Sequence, residues 1–142
     1  MNNYRETFGL RFSTLSRQWR RYLDQQLSLL GINDTTWGPL IHLHNLGDGV
    51  NQKQLAKAVG IEGPAQVRLL DTMEKRGEIV RKTSETDRRS NLIYLTDAGA
   101  EKVKDILSHL QQIESVFMSR VSDEQLAHFH EVLDILEGSI GE

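Results

Sequence analysis

The segment 51–99, NQKQLAKAVGIEGPAQVRLLDTMEKRGEIVRKTSETDRRSNLIYLTDAG, constrains the fold more than any other part of this chain. Asn51 can cap a short helix, with Gln54 three residues later closing a capping box and Leu55, Ala56 and Val59 as its apolar face. Gly60 stops that helix, and Pro64 opens another running to Gly77, at a position where a missing N–H is no loss. Two short helices joined by a few residues containing glycine make a helix-turn-helix pattern. Two apolar runs follow, Ile79-Val80 and Leu92-Ile93-Tyr94-Leu95, around a polar loop holding the adjacent Arg88 and Arg89. This reads as a hairpin with two permanent positive charges near its tip.

Helices are expected on both sides of this segment. Phe8, Phe12, Leu15, Trp19 and Tyr22 recur at steps of four and three on a stripe that continues to Leu30, with Gly31 as its stop. NDTTWGPLIHLHNLGDG reads as a second helix with Asn33, Asp34 or Thr36 as cap and Pro39 in its first turn. After the hairpin, Thr96 or Asp97 caps a long helix carrying Val103, Ile106, Leu110, Ile113 and Phe117, and Ser122 with Gln125 opens a last one. The fold class is mainly α with a small β-hairpin wing. The terminal helices, 5–30, 97–120 and 122–140, have narrow apolar stripes that a chain of 142 residues struggles to cover alone, so a second copy is expected against them.

Composition excludes several mechanisms. With no cysteine there is no disulfide, thiolate nucleophile, thiol redox switch or sulfur-ligated zinc. No apolar run nears the ~20 residues of a bilayer span, and the opening MNNYRETFGLRF lacks a signal pattern; a cytoplasmic location and no membrane partner are expected. The net charge of −3 hides an uneven distribution. Residues 51–96 carry nine Lys/Arg against six Asp/Glu, whereas residues 97–142 carry three against ten.

The helix-turn-helix QLAKAVGI…VRLLDTMEKRG together with the wing TDRRSNLIYLTDAG resembles the MarR family of bacterial winged-helix regulators, and looks closest to its SlyA branch. LSRQWRRYLDQQL and TTW extend the likeness over nearly the whole chain. The resemblance implies a homodimer built from residues 1–33 and 97–142, with 34–96 as the winged helix-turn-helix lobe that binds double-stranded DNA at a pseudo-palindromic, A·T-rich operator. It implies a transcriptional regulator such as a repressor, no enzyme activity and no cofactor.

The residues suit that role. On the helix from Pro64, a rotation of 100° per residue sets Val67, Leu70 and Met73 on one side and Pro64, Ala65, Arg68 and Thr72 on the other. Arg68 can fork onto guanine, Ala65 can touch a thymine methyl, Thr72 can bond a base edge or phosphate, and Gln66 near the helix start is expected to leave the core and read adenine. Arginines at a wing tip suit a narrow A·T-rich minor groove. The resemblance points to Arg89 as the inserted residue beside Arg88, with Asp87 orienting it and Asp71 as a second partner. The returning strand reads SNLIYLT where SlyA-like wings are often more basic, so fewer phosphates are neutralised and Arg88 and Arg89 bear more of the binding. Thr35, Thr36 and Gln52, near helix starts, are candidate phosphate contacts.

An effector site is also implied by the resemblance: Arg20, Trp37, Ile41 and His44 are candidates for a pocket taking a small aromatic or phenolic ligand, with Trp19 and Trp37 equally readable as core. Against catalysis, HEVLD at 130–134 lacks the second histidine of a zinc-binding helix, and no metal site is expected. The alternative is a winged-helix protein-interaction module without specific DNA binding.

Overall fold

A computed structural model of the protein describes residues 3–33, 36–87 and 90–141. The expected caps at Asp34, the phosphate contact at Thr35 and the wing-tip Arg88 and Arg89 lie outside the described residues. The order is α1 (Tyr4–Leu29), α2 (Trp37–Leu46), β1 (Val50–Asn51), α3 (Gln52–Val59), α4 (Pro64–Lys75), β2 (Ile79–Thr83), β3 (Asn91–Leu95), α5 (Asp97–Phe117) and α6 (Asp123–Ile140). The chain forms two compact units, 1–110 and 111–142.

In the first unit the hairpin pairs antiparallel with Val80 opposite Tyr94 and Arg81 opposite Ile93. Sequence reading missed β1, a two-residue strand that adds to the other edge of β3, Val50 opposite Ile93, so β3 is the central strand. Two residues are too few to show an alternation pattern. The core gathers from every helix of this unit and from both strands of the hairpin: Leu27, Leu40, Leu55, Leu70, Met73, Ile79, Ile93 and Ile106 are fully buried.

The helix-turn-helix forms by the local chemistry its sequence announces. Asn51 accepts from the Gln54 N–H while the Gln54 side chain accepts from the Asn51 N–H, and Gly60 closes α3 in the left-handed conformation at φ 81°. Pro64 occupies the first turn of α4. Its inner face differs from expectation in one place: Leu70 and Met73 are buried, but Val67 is exposed. The buried position of that first turn is instead filled by Gln66.

A tight junction joins the wing to α5. Thr96 caps the helix by accepting from the Gly99 N–H at 3.0 Å. The Thr96 N–H donates to the Glu78 carbonyl at 3.1 Å, and the Thr96 hydroxyl donates to the Gly77 carbonyl. The Glu78 side chain is buried, with Lys102 of α5 3.4 Å from one carboxylate oxygen.

The second unit holds the end of α5 and all of α6, which opens on the expected Ser122–Gln125 capping box. Helix α6 has no buried residue. Val116, Phe129, Val132, Ile135 and Ile140 all stand exposed in the single chain. An 18-residue helix in water gains little from propensity alone, so its stability depends on covering that face.

Candidate nucleic-acid interface

Helix α4 presents Pro64, Ala65, Arg68 and Thr72 to solvent, as its periodicity predicts. Ala65, Arg68 and Thr72, with Ile61 and Leu69, line an open concavity of about 320 Å³ beside Thr36. The Thr72 hydroxyl donates to the Arg68 carbonyl one turn back at 2.9 Å, which orients it along the helix face. This leaves an exposed guanidinium, a methyl and a hydroxyl on one side of a helix whose other side is anchored by Leu70 and Met73.

Two expectations are corrected here. Gln66 does not leave the core: it is 7% exposed, and its amide N–H donates to the backbone carbonyl of Gln52, tying the start of α4 to the start of α3. Being long and polar, it reaches inward to the Gln52 carbonyl, which satisfies its own buried amide, rather than outward to a base. Thr36 is 1% exposed, so its hydroxyl does not face a phosphate. It stands at the cap position of α2 without making a cap bond, and meets the Glu78 carboxylate and the Arg76 guanidinium, each at 3.5 Å. Gln52 remains half-exposed at the start of α3, accepting from the Asn91 side chain at 3.4 Å.

Asp71 is engaged by Arg81, a residue the sequence reading did not consider, while its expected partner Arg89 lies outside the described residues. Arg81 of β2 donates from Nη2 to Asp71 Oδ1 at 2.6 Å, and to Glu74 from Nε at 3.2 Å and Nη2 at 3.1 Å. The hydrogen bond from Arg81 holds the Glu74 carboxyl below the usual carboxylate range, and Glu74 in turn raises the Arg81 guanidinium above its ordinary value. Sequence reading passed over Arg81. The signal was present: Asp71 and Glu74 are three apart on one helix, and Arg81 shares a strand face with the apolar Ile79.

At the base of the wing, Ser84 accepts from the Thr86 and Asp87 N–H groups at 3.3 Å, and the Ser90 N–H donates to the Asp87 carbonyl at 3.0 Å. Asp87 therefore shapes the turn through its backbone. On the outer face of the strands Lys82 lies over the Tyr94 ring, 5.0 Å from its centroid.

Of the effector candidates, Arg20 and Trp37 meet, while His44 lines a separate hollow. Arg20 stacks on Trp37 at 4.5 Å from the ring centroid, while Asp24 accepts from the Trp37 indole N–H at 3.1 Å and lies 3.7 Å from Arg20 Nε. Trp37 is 6% exposed, so the ring is core with its outer face already covered by a cation. Ile41 is half-buried. His44 sits in the last turn of α2 and lines a different hollow with Asp48, Thr96 and Asp97. Trp19 is half-buried and stacks on Tyr22. Among the described residues no group of three or more His, Cys, Asp or Glu is placed to hold a metal ion, and no helix is long and apolar enough to cross a membrane.

The sequence matches the MarR family over residues 30–90. The solved structure of transcriptional regulator PA3341 is 32% identical, with 94% of this chain and 98% of that chain covered and a TM-score of 0.82. A MarR transcriptional regulator from Methanosarcina mazei Go1 is 25% identical over 94% of this chain and 96% of its own, with a TM-score of 0.79. The MepR–DNA complex of S. aureus is 26% identical over 99% of both chains, with a TM-score of 0.74. With mostly helical architecture, a small antiparallel sheet and one-third identity across nearly its whole length, the chain belongs to the MarR family of winged-helix transcriptional regulators.

Proposed function

We propose that this protein is a homodimeric, sequence-specific DNA-binding regulator of transcription. The observation that carries the reading is the solvent face of α4, where Arg68, Ala65 and Thr72 stand exposed on a helix locked from behind by Leu70, Met73 and Gln66. A rigid helix with a guanidinium, a methyl and a hydroxyl on one face has the donors and apolar contact that a major groove reads. The likeness to MepR solved with DNA supports the same docking. Arg88 and Arg89, at the far end of the hairpin in sequence, enter the flanking minor grooves, which favours an A·T-rich site. Gln52, at the first turn of α3, is the remaining candidate for a phosphate.

The second copy supplies the symmetry. Helix α6 without a buried residue, and α1 burying only Leu23 and Leu27, leave apolar faces of the kind that obligate interfaces cover. Their charges are complementary as well: α1 carries five arginines against two carboxylates, and α6 five carboxylates with no Lys or Arg. Two copies related by a two-fold axis place their α4 helices about 34–36 Å apart, one turn of DNA, and so call for a pseudo-palindrome. Residues 1–33 and 97–142 act as the dimerisation region and 34–96 as the DNA-binding lobe. Kinship within the SlyA branch rests on the wing and α4 motifs alone. A small aromatic ligand would have to displace Arg20 from Trp37 to reach the indole, which sets the effector reading apart from the DNA reading.

Fluorescence anisotropy against A·T-rich inverted-repeat DNA from upstream of the protein's own gene tests this directly. Specific binding lost in Arg68→Ala and Arg89→Ala supports the regulator. Wild-type binding no tighter than to random DNA, unchanged in both variants, overturns it in favour of a protein-interaction module.

A further inference from the structure

We propose that Arg81 is a positioning residue: by clamping Asp71 and Glu74 it fixes the angle between α4 and the wing, so that one protomer's major-groove and minor-groove contacts are made as a unit. This rests on the DNA-binding reading and names the residue that couples its two halves.

Asp71 and Glu74 are three apart and therefore on one side of α4. In β2 the alternation puts Ile79, Arg81 and Thr83 on one face. Ile79 is buried, so apolar packing between wing and domain is strong at the start of the strand. Two residues on, it gives way to Arg81. Thr83 is exposed, and among the described residues no hydrogen bond or ion pair joins α4 to the hairpin beyond Arg81.

The geometry at Arg81 is more restrictive than a single ion pair. Nε and Nη2 each donate to a different oxygen of Glu74, at 3.2 and 3.1 Å, which fixes the plane of the guanidinium. Nη2 also donates to Asp71 at 2.6 Å, which fixes its place along the helix. The Arg81 side chain is 20% accessible but Asp71 and Glu74 are 57% and 42% so, which makes the clamp a matter of hydrogen-bond geometry more than of unscreened charge. A lysine could supply the charge but not the plane. β1 braces β3 only at Ile93 and Leu92, opposite Arg81 and Lys82, so beyond Lys82 the wing is a two-stranded ribbon, which has little stiffness of its own and a variable twist. A minor groove is only about 6 Å wide, so the ribbon's direction must be set at its root if the arginines are to enter it.

A chain without cysteine allows a clean test. Spin labels at Lys75→Cys and Thr83→Cys, in full-length protein with the labelled protomers diluted by unlabelled ones, report the distance from the end of α4 to the end of β2. The wild type is expected to give one narrow distribution and Arg81→Ala a broad one, with Arg81→Lys between them. On operator DNA, Arg81→Ala is expected to keep protection of guanine N7 by α4, lose hydroxyl-radical protection in the flanking minor grooves, and bind roughly tenfold more weakly. A narrow distance retained in Arg81→Ala overturns the proposal, as does parallel loss of both protections. If label distances respond to Arg81→Ala while the wild type footprints no DNA, the DNA-binding reading fails and the clamp stands.

Discussion

Gly99 lies directly against the backbone of Glu78: a Cβ at position 99 would sit well inside contact distance of the Glu78 carbonyl oxygen, with the Glu78 carbonyl carbon at 3.0 Å. The close approach follows from the Thr96 cap, whose N–H and hydroxyl hold the first turn of α5 onto the 77–78 backbone. This glycine is needed for space. Because a backbone carbonyl between a buried side chain and a strand cannot step aside, Gly99→Ala is expected to destabilise the fold by about 2–3 kcal/mol, at the upper end of overpacking costs. A thermal melt at fixed protein concentration checks it, with an expected fall in Tm of roughly 5–10 °C. A variant as stable as the wild type would mean the junction is looser than its geometry.

Gln66 and Arg68, two residues apart on α4, are expected to fail in opposite ways. Removing the Gln66 side chain leaves a cavity and deletes the bond to the Gln52 carbonyl, so Gln66→Ala is expected to cost stability by about 1–3 kcal/mol. Its base preferences should survive in whatever remains folded. Arg68→Ala should melt like the wild type, yet lose about 1–3 kcal/mol of binding to the preferred operator and little to random DNA. Melting curves and competition binding on the same preparations separate the two. The assignment is wrong if Gln66→Ala alters which base is preferred at one operator position.

Much of the fold was readable because its signals are local. Capping boxes at Asn51 and Ser122, the stop at Gly60 and the opening at Pro64 each depend on residues within four positions, and all are present in the structure. The outward set on α4 followed from period alone. What failed depended on partners distant in sequence. Gln66 and Thr36 look like interface residues until Gln52 and Glu78, 14 and 42 positions away, are known to claim them. The contact from Arg81 to Asp71, ten positions apart, went unread because Arg81 looks like an ordinary strand charge. β1 pairs across a gap of about forty residues and has no length in which to show a pattern.

The Glu74 carboxyl, depressed chiefly by the hydrogen bond from Arg81, gives a pH dependence with a definite sign. A group whose pKa is lower folded than unfolded binds fewer protons when folded, so its stabilising contribution is full above the unfolded value and fades as pH falls through the folded one. The wild type should therefore lose this contribution progressively as pH falls from the ordinary carboxylate value through the lowered folded one. In Arg81→Ala the contribution is absent, so the Tm difference between the two proteins should be constant through neutral pH and shrink in the acid range. Carbon-13 titration of Glu74 gives the direct reading. A Glu74 midpoint that is the same in both proteins would show that the contact does not persist in solution.

The exposed apolar faces lead to the last prediction. Ile135 on α6 is 68% exposed in the single chain, and Val116 near the end of α5 equally so. If these faces are solvated, an aspartate at either position should be neutral or mildly favourable for solubility. If a second copy covers them, each aspartate buries an unpaired charge twice per dimer, because a two-fold interface repeats every contact. Val116→Asp and Ile135→Asp are thus expected to weaken the dimer by at least about 3 kcal/mol per interface, more than a hundredfold in dissociation constant. Sedimentation velocity across a concentration series measures this. Loss of operator binding should follow dimer dissociation, while the side chains of α2–α4 keep the spectrum of the folded protein. Raising salt on the wild type separates the contributions further. The apolar contact should hold, and DNA binding should fall steeply through counterion release. Two aspartate variants that sediment and bind DNA as the wild type does would remove the second copy from these faces.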